Sequence, residues 1–408
     1  MATRPSAGDL VAGVSVALVA IPQSLAYAEL AGLPVELGLF GAAIPAIAAA
    51  FFVSSKQLQT GPVALTALLV FGALSPLAEP LSTEYIQLAA LLALMVGVVQ
   101  VALGVFGGGR LASLLSEPVL LGFSTAAATL IVSSQIPRVL DVTRGDGTVI
   151  FEAVSAILSP GEWRLSAILI SIGVAATMII GRRLHPLFPG VLVAVILALI
   201  FSLAVGYQGA TIGELSGEFV SLQTNFQWSS FGQLISSALV IALVGFTNPA
   251  AIGRKFATED GEDWDANREF VSQGVANLTA GLSGAFPVGG SFGRSSLNRQ
   301  AGATSRWAGA ITGVVVLLAI PFTPQLAALP SAVLGAIVIV AVAKLIEIRR
   351  ILGLFRESTA QALVALGTLI ATIASAPQVH WGVLAGVVFA LAAHVIGEPQ
   401  VTTLPDVE

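Results

Sequence analysis

Deep inside a chain otherwise written for lipid, Gly289 to Arg299 read GGSFGRSSLNR directly after Pro287-Val288. No continuous apolar helix has this composition. Irregular backbone at membrane depth persists only where protein covers it or water reaches it. An arginine there is a functional candidate by default. Read as the start of a half-helix, the stretch offers Ser291, Phe292, Gly293 and Arg294 to a solute. Free amides and the positive end of a helix dipole face outward at such a start. Glycine lets a ligand reach that backbone, so the chemistry is that of a small-anion site.

A second stretch fits the same description. SSKQLQTGP leads into a short apolar run, placing Gly61, Pro62, Val63 and Ala64 at another helix start. Proline in a first helical turn gives up no hydrogen bond. Gln23 and Tyr27, in the first apolar segment, and Thr247 and Asn248, in the eighth, would close the pocket. Gln23 and Asn248 supply amide donors without charge, and a buried amide in lipid must find a partner. Plainer roles compete. Gly289 and Gly290 could be a packing hinge, Arg294 could pair with a carboxylate or sit at a cytoplasmic helix end, and Tyr27 could simply be packed. Pro22 and Pro249 read equally as kinks, Glu117-Pro118 as the opening of a helix, and Glu29 and Glu36 as outer-face structure.

Other chemistries find no support. Cysteine is absent, and the three histidines (His185, His380, His394) are scattered singly, so no metal site is expected. No P-loop, paired carboxylates, nucleophile triad or HExxH occurs. No enzyme activity, cofactor or nucleic-acid partner is expected.

The elements that must position these residues follow from composition. The chain is 56% hydrophobic and 10% charged, with net charge -5 and mean hydropathy +0.92. Soluble domains carry about 25% charged residues. The apolar runs suit spanning helices and lack the period-two alternation of membrane strands. Fourteen segments are predicted: 9–31, 37–53, 62–78, 84–106, 111–135, 163–181, 188–206, 230–252, 267–286, 291–300, 305–323, 329–347, 358–376 and 378–396. The third and tenth are half-helices. With the N-terminus in the cytoplasm, 14 of the 18 basic residues fall inside. Arg138, Arg144 and Arg164 fall outside, among acids such as Asp141 and Asp146, and Arg294 is intramembrane. This asymmetry orients the chain with both termini inside. Trp163, Trp228 and Trp381 lie near segment ends, where interfacial tryptophans sit.

A repeat is also visible. ALVAIPQS (Ala17–Ser24) matches ALVGFTNP (Ala242–Pro249), setting Gln23 opposite Asn248, and TGPVALT matches VGGSFGR, setting Gly61 opposite Gly290. Seven segments against seven is an odd number, so the halves are expected to be inverted. Inverted repeats with broken helices mark secondary transporters with a midplane site.

At this point a family resemblance enters. LPVELGLFGAAIPAIAAAFFVSSKQLQTGPVALTALLV, LLSEPVLLGFSTAAA, the ALVGF stretch and QGVANLTAGLSGAFPVGGSFGRSSLNRQAGA resemble the sulfate permease (SulP) anion transporters, the group that includes prestin and pendrin. The resemblance covers most of the chain in matching order. It implies an all-α, polytopic uracil-transporter-like fold of two inverted seven-segment repeats. The chain would be one transmembrane domain, with a core (about 9–106 and 230–323) moving against a gate (about 111–206 and 329–396) that makes a homodimer. The family's C-terminal cytosolic STAS domain is expected to be absent from this chain. An anion such as sulfate, bicarbonate, chloride or a dicarboxylate would sit between segments 3 and 10, with proton or sodium coupling open. Many bacterial members carry an acid where Asn248 aligns, which puts cation coupling there in question. Gly293 replaces a common serine and leaves room for a larger anion. A bacterial inner-membrane location is expected. The competing readings are a nucleobase permease of the same fold and an anion channel or voltage-responsive motor.

Overall fold

The structure, a computed structural model, describes residues 4–109, 116–143, 145, 147–185, 187–215, 217–218 and 222–395. Arg110, Arg144 and Asp146 of the charge pattern, residues 111–115 of the fifth predicted segment and residue 396 of the last lie outside them.

The first half of the chain forms α1 (Ala7–Leu30), α2 (Glu36–Phe52), β1 (Thr60–Gly61), α3 (Ala64–Leu74), α4 (Thr83–Val105), α5 (Glu117–Leu140), α6 (Val149–Leu158), α7 (Leu165–Leu184) and α8 (Gly190–Val205). The second forms α9 (Phe231–Asp260), α10 (Ala266–Leu282), β2 (Gly289–Gly290), α11 (Phe292–Gln300), α12 (Trp307–Ala319), α13 (Ser331–Val342), α14 (Ile348–Glu357), α15 (Thr359–Ala374) and α16 (His380–Val395). Among the described residues, seven helical stretches are long and apolar enough to cross a membrane, and six shorter apolar helices of 10–17 residues accompany them. The protein is an all-α, multi-pass integral membrane protein.

Each predicted segment carries a helix, with corrections. Segment 3 shortens to α3, because Val63 is extended and the helix ends at Ser75. Segment 8 lengthens to Asp260. Arg254 and Lys255 do not break a helix; Gly261 does, at φ +65°. The helices α6 and α14 were not expected. In α14 (IRRILGLFRE) the charges read as loop and hid an apolar repeat at helical spacing.

Local chemistry starts the helices. Ser6 and Asp9 form a capping box on α1, Ser82 caps α4, and Asp265 accepts from the Asn267 and Arg268 amides to open α10. The buried Asp9 carboxylate also accepts from the Thr304 and Ser305 amides, both at 2.8 Å, and so ties α1 to the turn before α12.

The helices pack in two sets. In one, α10 lies along α4 and α2, α12 along α1 and α2, and α9 along α4. Gly97 and Gly274 let α4 and α10 meet backbone to backbone, since a Cβ on either would stand 2.9 Å from the other's carbonyl oxygen. In the other, α5 is surrounded by α6, α13, α15 and α16, and α7 lies between α8 and α13. The sets touch where α1 meets α8 and α13, α3 meets α5, and α9 meets α16. An ion pair bridges them where Glu29 of α1 meets Arg138 of α5 at 3.0 Å. Just past the end of α5, Asp141 pairs with Arg164 and accepts from the Ala210 amide. Of the bases expected outside, Arg138 and Arg164 are thus each paired with an acid.

Candidate functional site

The irregular stretches meet as backbone. β1 and β2 pair antiparallel, Thr60 opposite Gly290 and Gly61 opposite Gly289. The Ser291 amide donates to the Gln59 carbonyl, and the Gln59 amide donates to Ser295 Oγ, both at 2.9 Å. From this patch leave two short helices, α3 and α11, whose starts are 228 residues apart (292 − 64). That is one residue short of the offset that sets Gly61 opposite Gly290. Val63 opens α3 with no side-chain cap, so its first amides keep their donors. On α11 the Ser291 hydroxyl accepts from the Arg294 amide at 3.4 Å, which spends one of the amides the sequence offered to a solute. Each helix start carries about half a positive charge.

Arg294 is buried, 3% exposed. Its Nη2 donates to the Pro62 carbonyl at 2.8 Å, and its Nη1 has no hydrogen-bond partner among the described residues. It makes no ion pair there either, so the reading of a carboxylate partner finds no support among the described residues, and Arg294 lies in the first turn of α11. The guanidinium instead straps α11 to the lead-in of α3, with donors left over. Gly61 permits this approach, since a Cβ there would stand 3.2 Å from Nη2. Tyr27 is buried on α1, within electrostatic reach of Arg294, and α1 touches both α3 and α11. Gln23 is half-buried on the same helix.

The glycines differ sharply. A Cβ on Gly290 would meet Pro249 Cγ at 2.9 Å and Leu58 Cδ1 at 3.0 Å, so this glycine is a packing requirement and Pro249 is its partner. A Cβ on Gly293 would meet nothing within 4 Å. The first turn of α11 therefore faces free space, and Phe292 (43% exposed) and Asn248 are exposed as well. Two expected contacts are redirected. The Phe292 ring turns toward Lys255 of α9, 5.2 Å from Nζ, and the Thr247 hydroxyl donates to the Val244 carbonyl of its own helix at 2.7 Å. The structure thus joins Gly61, Pro62 and Arg294 directly, sets Val63, Ala64, Ser291, Gly293 and Tyr27 around them, and turns the side chains of Phe292 and Thr247 elsewhere.

Sequence reasoning missed the layer that holds this patch in place. Asn277 of α10 clamps the Val288 backbone, accepting from its amide at 2.8 Å and donating to its carbonyl at 3.1 Å. It also donates to Gln100 of α4 at 2.9 Å, and Gln100 donates to the Ala242 carbonyl of α9. Gln273 donates to Thr60 Oγ1 at 2.9 Å. Thr66 Oγ1, at the start of α3, is buried without a partner among the described residues, 3.7 Å from a Cβ placed on Gly289. The available signal was amides inside apolar helices, the argument applied to Gln23 but not to these residues.

Known proteins resemble this chain in sequence and in fold. Residues 7–368 match the profile described as the Sulfate permease family. The probable sulfate transporter MT1781 of Mycobacterium tuberculosis is 33% identical over 392 residues, covering 94% of this chain and 69% of that protein. Sulfate transporter 4.1, chloroplastic, of Arabidopsis thaliana is 30% identical over 415 residues, covering 97% of this chain. The chain spans 59% of that relative's length. The solved structure of the murine Solute Carrier 26 family member A9 (Slc26a9) anion transporter superposes with a TM-score of 0.88 at 23% identity, covering 97% of this chain and 69% of that one. These relatives are transporters rather than enzymes, and the resemblance seen in the sequence motifs is the one found. By the extent of the profile match and by both relatives, the chain belongs to the sulfate permease family.

Proposed function

We propose that the chain is a secondary transporter that holds a small anion between the starts of α3 and α11. The observation that carries this reading is Arg294, a buried guanidinium set between two helix starts, with no carboxylate paired to it and no partner for Nη1 among the described residues. A buried charge without a counter-charge is costly. An anion there would balance it and accept from the amides of Ala64, Leu65 and Gly293. Gln23 and Tyr27 on α1 and Asn248 on α9 would complete the lining, with Thr66 as a hydroxyl behind it. The names of the relatives favour sulfate and related anions, and Gly293 leaves space for one larger than chloride.

The two packing sets suit a core (α1–α4 with α9–α12) that carries the site past a gate (α5–α8 with α13–α16), so that access alternates with no covalent chemistry. The free space at Gly293 and the turn of Phe292 toward Lys255 favour a state open toward the cytoplasm, where the basic residues concentrate. The Glu29–Arg138 pair lies at the opposite, outer ends of α1 and α5. A homodimer through the gate, both termini in the cytoplasm and a bacterial inner membrane fit the same picture. Asn248 offers no carboxylate for cation coupling.

The test is uptake into proteoliposomes across sulfate, bicarbonate, chloride and a dicarboxylate, with and without a proton or sodium gradient. Arg294→Ala removes the charge and Arg294→Lys keeps it without the planar fork. The Ala variant should abolish saturable uptake of the preferred anion, with the Lys variant intermediate. Wild-type uptake by a folded Arg294→Ala protein, or uptake of uncharged nucleobases alone, would overturn the assignment.

A further inference from the structure

We propose that α14 and the bases around it form a binding site for anionic phospholipid headgroups at the membrane surface. Ile351 of α14 is buried against Leu121 of α5 and Ala365 of α15, which fixes one side of the helix. A neighbouring face remains uncovered: Ile348, Leu352 and Phe355 recur at helical spacing and are 51%, 58% and 40% exposed. The helix lies at interfacial depth. The amide of Glu347, just before it, donates to Thr125 Oγ1, and Arg350 within it pairs with Glu117, the first residue of α5. Thr125 is eight residues into α5, so α14 crosses roughly the first 12 Å of that helix. An apolar face at this depth meets acyl chains and its polar edge meets headgroups.

Charge names the class of headgroup. Arg350 is neutralised by Glu117 and Glu347. Arg349 and Arg356 are exposed and form no ion pair among the described residues. They are seven residues apart, hence on one edge of the helix and about 10 Å from each other. Leu352 lies on the turn between them. Close by in the chain, exposed Lys344 lies within electrostatic reach of Arg182 at the end of α7, with Arg183 following. Glu357 is the acid that closes α14. Like charges gathered beside a lipid-facing apolar strip are unfavourable alone and favourable against phosphodiesters. A zwitterionic headgroup does not supply that compensation.

The experiment is native mass spectrometry of the purified full chain in detergent, with equal amounts of phosphatidylglycerol and phosphatidylcholine added. Wild type should retain phosphatidylglycerol preferentially. Because each arginine near an anionic surface is worth about fivefold, Arg349→Gln with Arg356→Gln should cut the preference by about thirtyfold. The side chains are exposed and unpaired among the described residues, and a monodisperse elution profile checks the fold. Leu352→Ser should weaken retention of both lipids, and glycerol 3-phosphate, which lacks the acyl chains, should not compete at the same concentration. The proposal fails if wild type does not discriminate, if the double Gln variant keeps the preference, or if free glycerol phosphate competes as well as the lipid. It fails equally if the double variant only separates subunits with lipid retention unchanged, which would make this face a contact between copies.

Discussion

Glu29→Gln should open the outer side of the protein. Glu29 Oε1 and Arg138 Nη2 stand 3.0 Å apart, with 21% and 17% of their side chains exposed. At an effective dielectric of about 20, Coulomb attraction at this distance is about 5.5 kcal/mol before desolvation is subtracted. Fully exposed pairs retain about 0.2–1 kcal/mol, and breaking a fully buried pair costs about 3–5 kcal/mol. A pair one-fifth exposed falls between, at about 1–3 kcal/mol. Because it joins α1 to α5, that energy is present only while the outer ends are together. Its loss should raise the outward-facing population about 5- to 150-fold. The chain has no cysteine, so Gly293→Cys places a single thiol in the free space at α11. The readout is its rate of modification by a membrane-impermeant maleimide added outside. That rate should rise at least about fivefold with Glu29→Gln, in proportion to the population. Arg138→Gln should act in the same direction but also removes the bond to Gln135, so the Glu29 variant is the cleaner probe. Exchanging the two charges should restore the slow rate. If outside modification is unchanged in Glu29→Gln, or only inside modification rises, the pair is not a closure of the outer side.

Other expectations concern the site itself. Gly290→Ala should lower thermal stability by about 1–3 kcal/mol, because the methyl overlaps Pro249, whereas Gly293→Ala should melt like wild type and weaken uptake of the largest accepted anion first. Asn277→Ala should cost about 2–5 kcal/mol, measured by thermal unfolding in detergent, since the amide and carbonyl of Val288 lose their partner together. Asn248→Glu should make uptake depend on pH or on a cation gradient where wild type does not; equal uptake at pH 6 and pH 8, about a hundredfold apart in proton activity, would argue against a coupling role for this position.

The legible parts of this protein were those governed by lipid. Apolar runs marked the helices, and basic residues gave an orientation whose outer exceptions, Arg138 and Arg164, turn out to pair with Glu29 and Asp141. Gly289–Arg299 and its partner stretch were legible because glycine, proline and arginine have no other business at membrane depth. Long-range pairing was not legible. Nothing in the spacing tells that Gly61 faces Gly289, that Arg294 reaches Pro62, or that Phe292 leans on Lys255, since these contacts are set by tertiary packing more than 200 positions away in two cases and by a neighbouring helix in the third. The amides of Gln100, Gln273 and Asn277 obeyed a rule already in hand and were passed over, although Gln273 and Asn277 stand one turn apart in α10.

The short β1–β2 pairing has a further consequence for a carrier built this way. The two helix starts are tied by backbone hydrogen bonds and by the Arg294–Pro62 strap, so their separation is a fixed gauge rather than a jaw. An anion leaving toward either face would break the same contacts. Its intrinsic affinity should therefore be equal from both sides, and selectivity should be set by the gauge and not by the direction of entry. Any rectification of flux must then come from the gate contacts, and weakening those alone should change turnover asymmetrically while leaving the ranking of anions untouched.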